Sequence, residues 1–289
     1  MLVASRWSPA MSTARPHFAP EAALSPRRIE VSLNRASVHW VGGDPVTSHF
    51  FNALSALIPP VERIVIRILR DMDRATLPDP LARDIRGLIQ QEAWHSRIHR
   101  QCNQALALCG YSAIPGLDGW LERALRLVVR CLPRKLKLAL PYAFELYTAS
   151  LSLAVLERGN DWGLEDADTP EGPHKVLIWH ALEELEHQDV CGDLLEALDI
   201  RRRWGSFAAL AIMPVLLTVV ALTHLYFMHT DRSLYRPRHV RCYLGMLIRQ
   251  RGPYGTLVGG VLRRLWRGEA DYGNTGRAGV LRALTQFTG

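Results

Sequence analysis

What is missing narrows the field first. Cys102, Cys109, Cys131, Cys191 and Cys242 form an odd, scattered set with no CxxC pair. That excludes a zinc knuckle and offers no disulfide framework. A reducing, intracellular setting is therefore expected. The first 20 residues contain no acid, two Arg and three Pro, and they lack the apolar core of a secretory signal. Residues 1–30 are read as a disordered tail, with an organelle transit peptide or a start at Met11 as alternatives. No strand alternation runs through residues 60–200, so the fold class there is all-α. Residues 204–230 contain no Asp, Glu, Lys or Arg.

Against those absences stand 289 residues of which 48% are apolar, enough for a sizeable core. The net charge of +7 is unevenly placed: residues 1–200 hold 21 Lys+Arg against 25 Asp+Glu, and residues 201–289 hold 14 against 3. An acidic part and a basic part that faces a partner or a membrane would produce this split.

Proline and glycine cut the chain into helix-length pieces. Helices are predicted from Val61 (after Pro59 and Pro60) to about Met72, from Leu81 to about Cys109, from about Trp120 to Val129, from Tyr142 to Leu156, and from about His174 to Leu198. Short loops between long helices favour a bundle, and residues 159–173 read as a loop. The run from 204 to 230 is long enough to span a bilayer, but it carries Arg on both flanks, so charge gives no orientation. It is either a buried helix of an enlarged bundle or a membrane-associated one, with Pro214 as a kink.

Two segments carry the chemistry. QQEAWHSRIHR (90–100) and IWHALEELEHQDV (178–190) each place histidine three residues after glutamate: Glu92 with His95, and Glu184 with His187. Positions i and i+3 share a helix face, so each pair can hold one ion. His99 lies one turn beyond His95, His180 one turn before Glu184, and Glu183 falls between. Glu186 points further round the helix. Two lone glutamates, Glu62 and Glu145, sit in apolar helical stretches. The order Glu, ExxH, Glu, ExxH is that of a two-metal site built from four helices of a bundle. Carboxylate and imidazole donors suit iron, manganese or zinc. Without a cation, so many buried carboxylates would repel one another. Two divalent ions, iron first and manganese or zinc as alternatives, are expected at Glu62, Glu92, His95, Glu145, Glu184 and His187. His99 and His180 are further ligands or supports. Asp189 could orient an imidazole, Arg67 and Arg70 could meet the cluster, and Trp94 and Trp179 read as packing.

The QExxHxxxH and WHxxEExEH motifs, here Gln91 to His99 and Trp179 to His187, resemble the ferritin-like family of predicted metal-dependent hydrolases of bacteria. The resemblance covers about residues 40–250. It implies a ferritin-like four-helix bundle core with extra C-terminal helices, and a metal site at the six residues named. In domain terms, that places a metal-binding domain at 31–250 and a basic extension at 251–289. One departure is that the family usually has Glu-His where this chain has Glu145-Leu146.

Hydrolysis is the first functional expectation, with the ions polarising a carbonyl or phosphoryl group and Glu183 as base. The alternatives are an oxygen-activating di-iron oxidase or oxygenase acting on a small or lipophilic substrate, and a non-enzymatic iron-binding bundle. Expected partners are a small-molecule substrate and a membrane surface met through 201–268. A homodimer is left open. No nucleic acid is expected, because the basic residues are scattered through apolar sequence. The location expected is cytoplasmic, with peripheral or integral attachment at the inner membrane as the further option.

Overall fold

The computed structural model describes residues 24–33, 38–164 and 171–267. Within them the chain is helical and has no strand: α1 (Pro45–Asp71), α2 (Asp79–Leu108), α3 (Ile114–Cys131), α4 (Arg134–Arg158), α5 (Gly172–Ala197), α6 (Arg203–Thr230), α7 (Pro237–Ile248) and α8 (Pro253–Arg267), with short 3-10 turns at Gly159–Trp162 and Ser233–Tyr235. The all-α class is as expected.

Helix α1 begins well before the predicted Val61. Asp44 caps its first turn, its Oδ2 accepting from the Thr47 N–H at 2.7 Å, and Pro45 follows at the first helical position. The helix then runs through Pro59 and Pro60, where the sequence suggested a boundary. Interior proline costs about 3 kcal/mol. Here buried residues on both sides, Phe50, Ala53 and Leu57 before and Ile64, Val65 and Leu69 after, pin the helix to its neighbours. Burial of a large apolar side chain is worth about 1.5–3 kcal/mol, so several outweigh the break. Pro141 lies inside α4 in the same way, so α4 starts at Arg134 rather than Tyr142.

Four helices form a ring: α1 packs on α2, α2 on α5, α5 on α4, and α4 on α1. Neighbours run antiparallel. Helices α2 and α4 point the same way because α3 lies between them in sequence and packs on α1 and α2 as a single crossover. Helix α8 lies against α4, with Leu257, Val261 and Arg264 buried, so residues beyond 250 extend the packed body. At the other end of the chain, the residues described from 24 to 30 are packed rather than free, with Leu24 and Ile29 buried. They pass so close to α2 that a Cβ at Gly87 would lie 2.1 Å from the Leu24 carbonyl oxygen. Residues 1–23 of the expected tail, and the extension beyond 267, lie outside the described residues.

Among the described residues, two helical stretches are long and apolar enough to cross a membrane. The most apolar 18-residue window of Arg134–Trp162 is 83% buried, and that of Arg203–Thr230 only 22%. The first is a core helix. The second, α6, matches neither expectation fully. One face, including Gly205, Ala208, Val220 and Phe227, packs on α1 and α4. The opposite face exposes Trp204, Phe207, Leu210, Val215 and Leu222.

Candidate metal centre

Each ring helix contributes to one buried cluster midway along the bundle. Glu62 comes from α1, Glu92 and His95 from α2, Glu145 from α4, and His180, Glu184 and His187 from α5. All seven are buried. Potential donor atoms fall into two groups, Glu62–His95–His180 and Glu92–Glu145–Glu184–His187, with the atoms of each group within 4.8 Å of one another. Glu184 links them. Its Oε1 lies 2.8 Å from His180 Nε2, 3.4 Å from His95 Nδ1 and 3.8 Å from His187 Nδ1. His187 Nδ1 also faces Glu92 at 3.2 Å and Glu145 at 3.6 Å, and Glu62 Oε1 is 3.9 Å from both His95 and His180. Ligand atoms each about 2.1 Å from one ion lie at most about 4.2 Å apart, so these separations suit shared ions.

The protons tell the same story. Burial pushes the Glu62 carboxyl well above its usual range, and the nearby Glu92 adds to this. Burial and Glu184 raise Glu145 to about 8. For Glu184, burial acts upward, but the His180 and His187 charges prevail and hold it well below the usual range. Burial alone would lower His95 and His187, yet hydrogen bonds to Glu183 and Glu184 take His95 up to about 10, and Glu145 and Glu184 raise His187. Without a cation the cluster holds protons in place of positive ions.

Five buried atoms in the cluster have no hydrogen-bond partner: both oxygens of Glu62, His95 Nδ1, Glu184 Oε2 and His187 Nδ1. A buried, unpaired polar atom costs about 1–3 kcal/mol. Such a concentration, all lone-pair donors from three helices, fits a divalent cation set.

Around the cluster lies a supporting layer. His95 Nε2 bonds Glu183 Oε2 at 2.9 Å, and Arg27 holds Glu183 Oε1 at 3.3 Å. Arg27 also grips Glu186, with Nη2 to Oε1 at 3.0 Å. Gln91 Oε1 meets His187 Nε2 at 3.1 Å while its Nε2 donates to Glu186 and to the Ser25 carbonyl. His180 Nδ1 and His99 Nε2 share a hydrogen bond at 2.6 Å, and His99 Nδ1 meets Ser55 Oγ at 2.9 Å. His99 thus stands behind His180, away from the shared oxygens. Burial keeps it neutral, holding its pKa well below the usual value. Trp179 is fully buried, its ring edge-on to His95 at 4.8 Å.

Other expected residues lie elsewhere. Arg67 and Arg70 are exposed. Trp94 sits half-buried with Arg28 and Arg97 at 5.0 Å from its ring. Leu146 is buried in the apolar core, and the seven donors converge without a histidine there. Nothing in the sequence pointed to Arg27, more than 150 positions from its carboxylates and inside the expected tail, and Gln91 stood only as the first residue of the QExxHxxxH motif, with no role assigned. A separate trio, His39, His49 and Asp231, ties the turn before α1 to the end of α6. Both Nε2 atoms lie within 2.8 Å of Asp231 Oδ2.

Fold and donor set together define a helical-bundle metal-binding protein. The family model described as predicted metal-dependent hydrolase matches residues 25–276, and the chain belongs to that family. No curated protein and no solved structure matches the chain.

Proposed function

We propose that this protein is a dinuclear metal-dependent hydrolase. The observation that carries the reading is the set of unpartnered donor atoms on Glu62, His95, Glu184 and His187, which converge from three helices inside a buried pocket. Glu62, His95 and His180 would hold one ion and Glu92, Glu145 and His187 the other, with Glu184 within reach of both groups. Bound divalent ions supply Lewis-acid polarisation of a scissile carbonyl or phosphoryl group and ease deprotonation of water. The single crossover at α3 supports kinship with ferritin-like bundles.

The chain's own residues orient and shield. Glu183, expected as a free base, is engaged on both oxygens, by His95 and by Arg27. Base catalysis there would require breaking both contacts. Its geometry suits holding the His95 ring so that Nδ1 faces Glu62 and Glu184. Gln91 does the same for His187, and His99 for His180. Trp179 closes the wall behind His95 against water.

The test is metal analysis after anaerobic reconstitution with zinc, manganese and ferrous iron, followed by assay on chromogenic acyl and phosphoryl esters. Two ions per chain and turnover with zinc are expected. No bound metal sinks the reading. Turnover that requires ferrous iron, dioxygen and a reductant replaces hydrolysis by oxygenation.

A second observation bears on location. The outward stripe of α6 is apolar along its length, and exposed Arg201, Arg203, Arg232, Arg236, Arg238 and Arg241 flank it. We infer that this face rests on an anionic bilayer surface. A second copy would set like charges against one another at both ends of the helix, whichever way the two helices ran.

A further inference from the structure

A cavity of about 100 Å³ opens from the cluster along the bundle axis. His180, Glu184 and His99 line its inner end, and Phe51, Leu106, Val155 and Pro173 its outer part. From the cluster to those outer residues is ten or eleven positions on each of the four ring helices: Glu62 back to Phe51, His95 to Leu106, Glu145 to Val155, and Glu184 back to Pro173. At 1.5 Å per residue the path is about 16 Å long. Its outer end is rimmed by half-buried Leu33, Val38 and Trp40 and by exposed Cys109.

The chemistry of the wall is one-sided. Among the described residues no Lys or Arg lines it, and the one acid that does is Glu184, at the inner end. Several polar groups along the way are spent within the wall, and the Ser152 hydroxyl adds one more polar group to its lining. Ser55 bonds His99 and Asn103, Asn52 accepts from Trp40 and donates to the Val38 carbonyl, and Thr148 donates to the Phe144 carbonyl. A sugar, nucleotide or peptide entering here would lose its hydration with few partners in return, a cost of roughly 1–3 kcal/mol for each stranded group. An apolar chain loses nothing and gains about 25 cal/mol for each Å² removed from water.

We propose that the cavity binds a single-chain amphiphile, an unbranched alkyl or acyl compound whose one small polar group faces Glu184 and His180. The identity of that group as the reacting one rests on the metal-centre reading above; the binding of the chain does not. Walls supplied by all four ligand helices make substrate length and metal-site geometry properties of the same scaffold. Among the described residues the wall offers no basic side chain, so the polar group is neutral or meets its counter-charge at the inner end.

The test uses the full chain, both metal-loaded and chelator-treated, with the fluorescent fatty acid cis-parinaric acid as the probe and dodecanol, glycerol and lysophosphatidylcholine as competitors. Saturable binding of one probe per chain is expected, displaced by dodecanol and unaffected by glycerol. Ala105→Trp and Leu177→Trp place an indole in the cavity from α2 and α5. Each is expected to weaken probe binding by at least about tenfold, or 1.4 kcal/mol, with metal content and helical circular dichroism unchanged. Should one of these variants fail to fold, the other and the wild-type competition series carry the result. No saturable binding, or full affinity in the folded variants, overturns the proposal. Equal displacement by lysophosphatidylcholine, whose bulky charged head cannot enter, places the polar group at the mouth and overturns the orientation. Probe binding without metal leaves the cavity assignment standing and removes the metal centre; metal without probe binding does the reverse.

Discussion

Gln91 Oε1 and His187 Nε2 lie 3.1 Å apart in the buried interior, so the amide oxygen accepts the imidazole proton and leaves His187 Nδ1 facing Glu92 and Glu145. Gln91 also reaches Glu186 and Ser25, so the orientation of a donor on α5 depends on α2 and on the segment before α1. Loss of such a partner typically weakens metal binding by about 10–100-fold. Gln91→Leu is expected to fall in that range in a chelator competition, with the helical signal retained. Gln91→Glu, which keeps an acceptor, is expected to recover most of it. Equal affinity in all three proteins would remove Gln91 from the centre.

Glu183 and His95 make a parallel case. Glu183→Gln keeps shape but replaces a charged acceptor with a neutral one. A positioning role predicts lower metal affinity together with lower turnover, and a smaller loss of the same kind for Arg27→Ala. A general base predicts lost turnover with metal affinity intact. Titrating metal into each variant and assaying the loaded protein separates the two.

Removing a donor is harsher. Glu92→Ala and His187→Ala both strip the group of Glu92, Glu145, Glu184 and His187. Each is expected to abolish binding there, lowering the metal count from two to one or none by elemental analysis. Unchanged content in both contradicts the assignment.

Metal uptake is expected to release protons, because the metal-free cluster stores them on Glu62, Glu145, His95 and His187. Glu145 titrates at about 8 and His95 at about 10, so apparent affinity rises with pH through both regions and falls below them. Isothermal titration in buffers of different ionisation enthalpy counts the protons; none released at pH 7 would contradict the assignment.

Stability has its own pH dependence, far from the cluster. His224 is buried, with Nε2 donating to the Val46 carbonyl at 2.8 Å. Burial, aided by His49, lowers its pKa from 6.5 to about 3. The unfolded chain takes up a proton below 6.5 while the folded chain does not until about 3. Its contribution is thus fully present above 6.5 and is lost as pH falls toward 3. Urea midpoints across that window should drop less steeply with pH for His224→Gln than for the wild type.

The membrane reading predicts co-flotation with vesicles rich in phosphatidylserine and weak binding to phosphatidylcholine alone. Phe207→Asp with Leu222→Asp should abolish flotation while leaving metal content unchanged. Insensitivity to lipid charge and to both substitutions would exclude a bilayer on this face.

Spacing alone made much of this legible. Glu92–His95 and Glu184–His187 declare themselves because a helix fixes which residues share a face, and that rule needs no tertiary knowledge. The all-α class followed from the same periodicity. Local rules failed where long-range packing overrides them. Pro59, Pro60 and Pro141 read as breaks, but the burial around them holds α1 and α4 continuous. Arg27 and Ser55 were invisible because nothing in the sequence says which distant carboxylate or imidazole a side chain will meet. Only the fold could decide that Glu183 is occupied, that His99 stands behind His180, and that α6 shows one apolar face outward. Each is a matter of which helices become neighbours, and that is set by the packing of the whole chain.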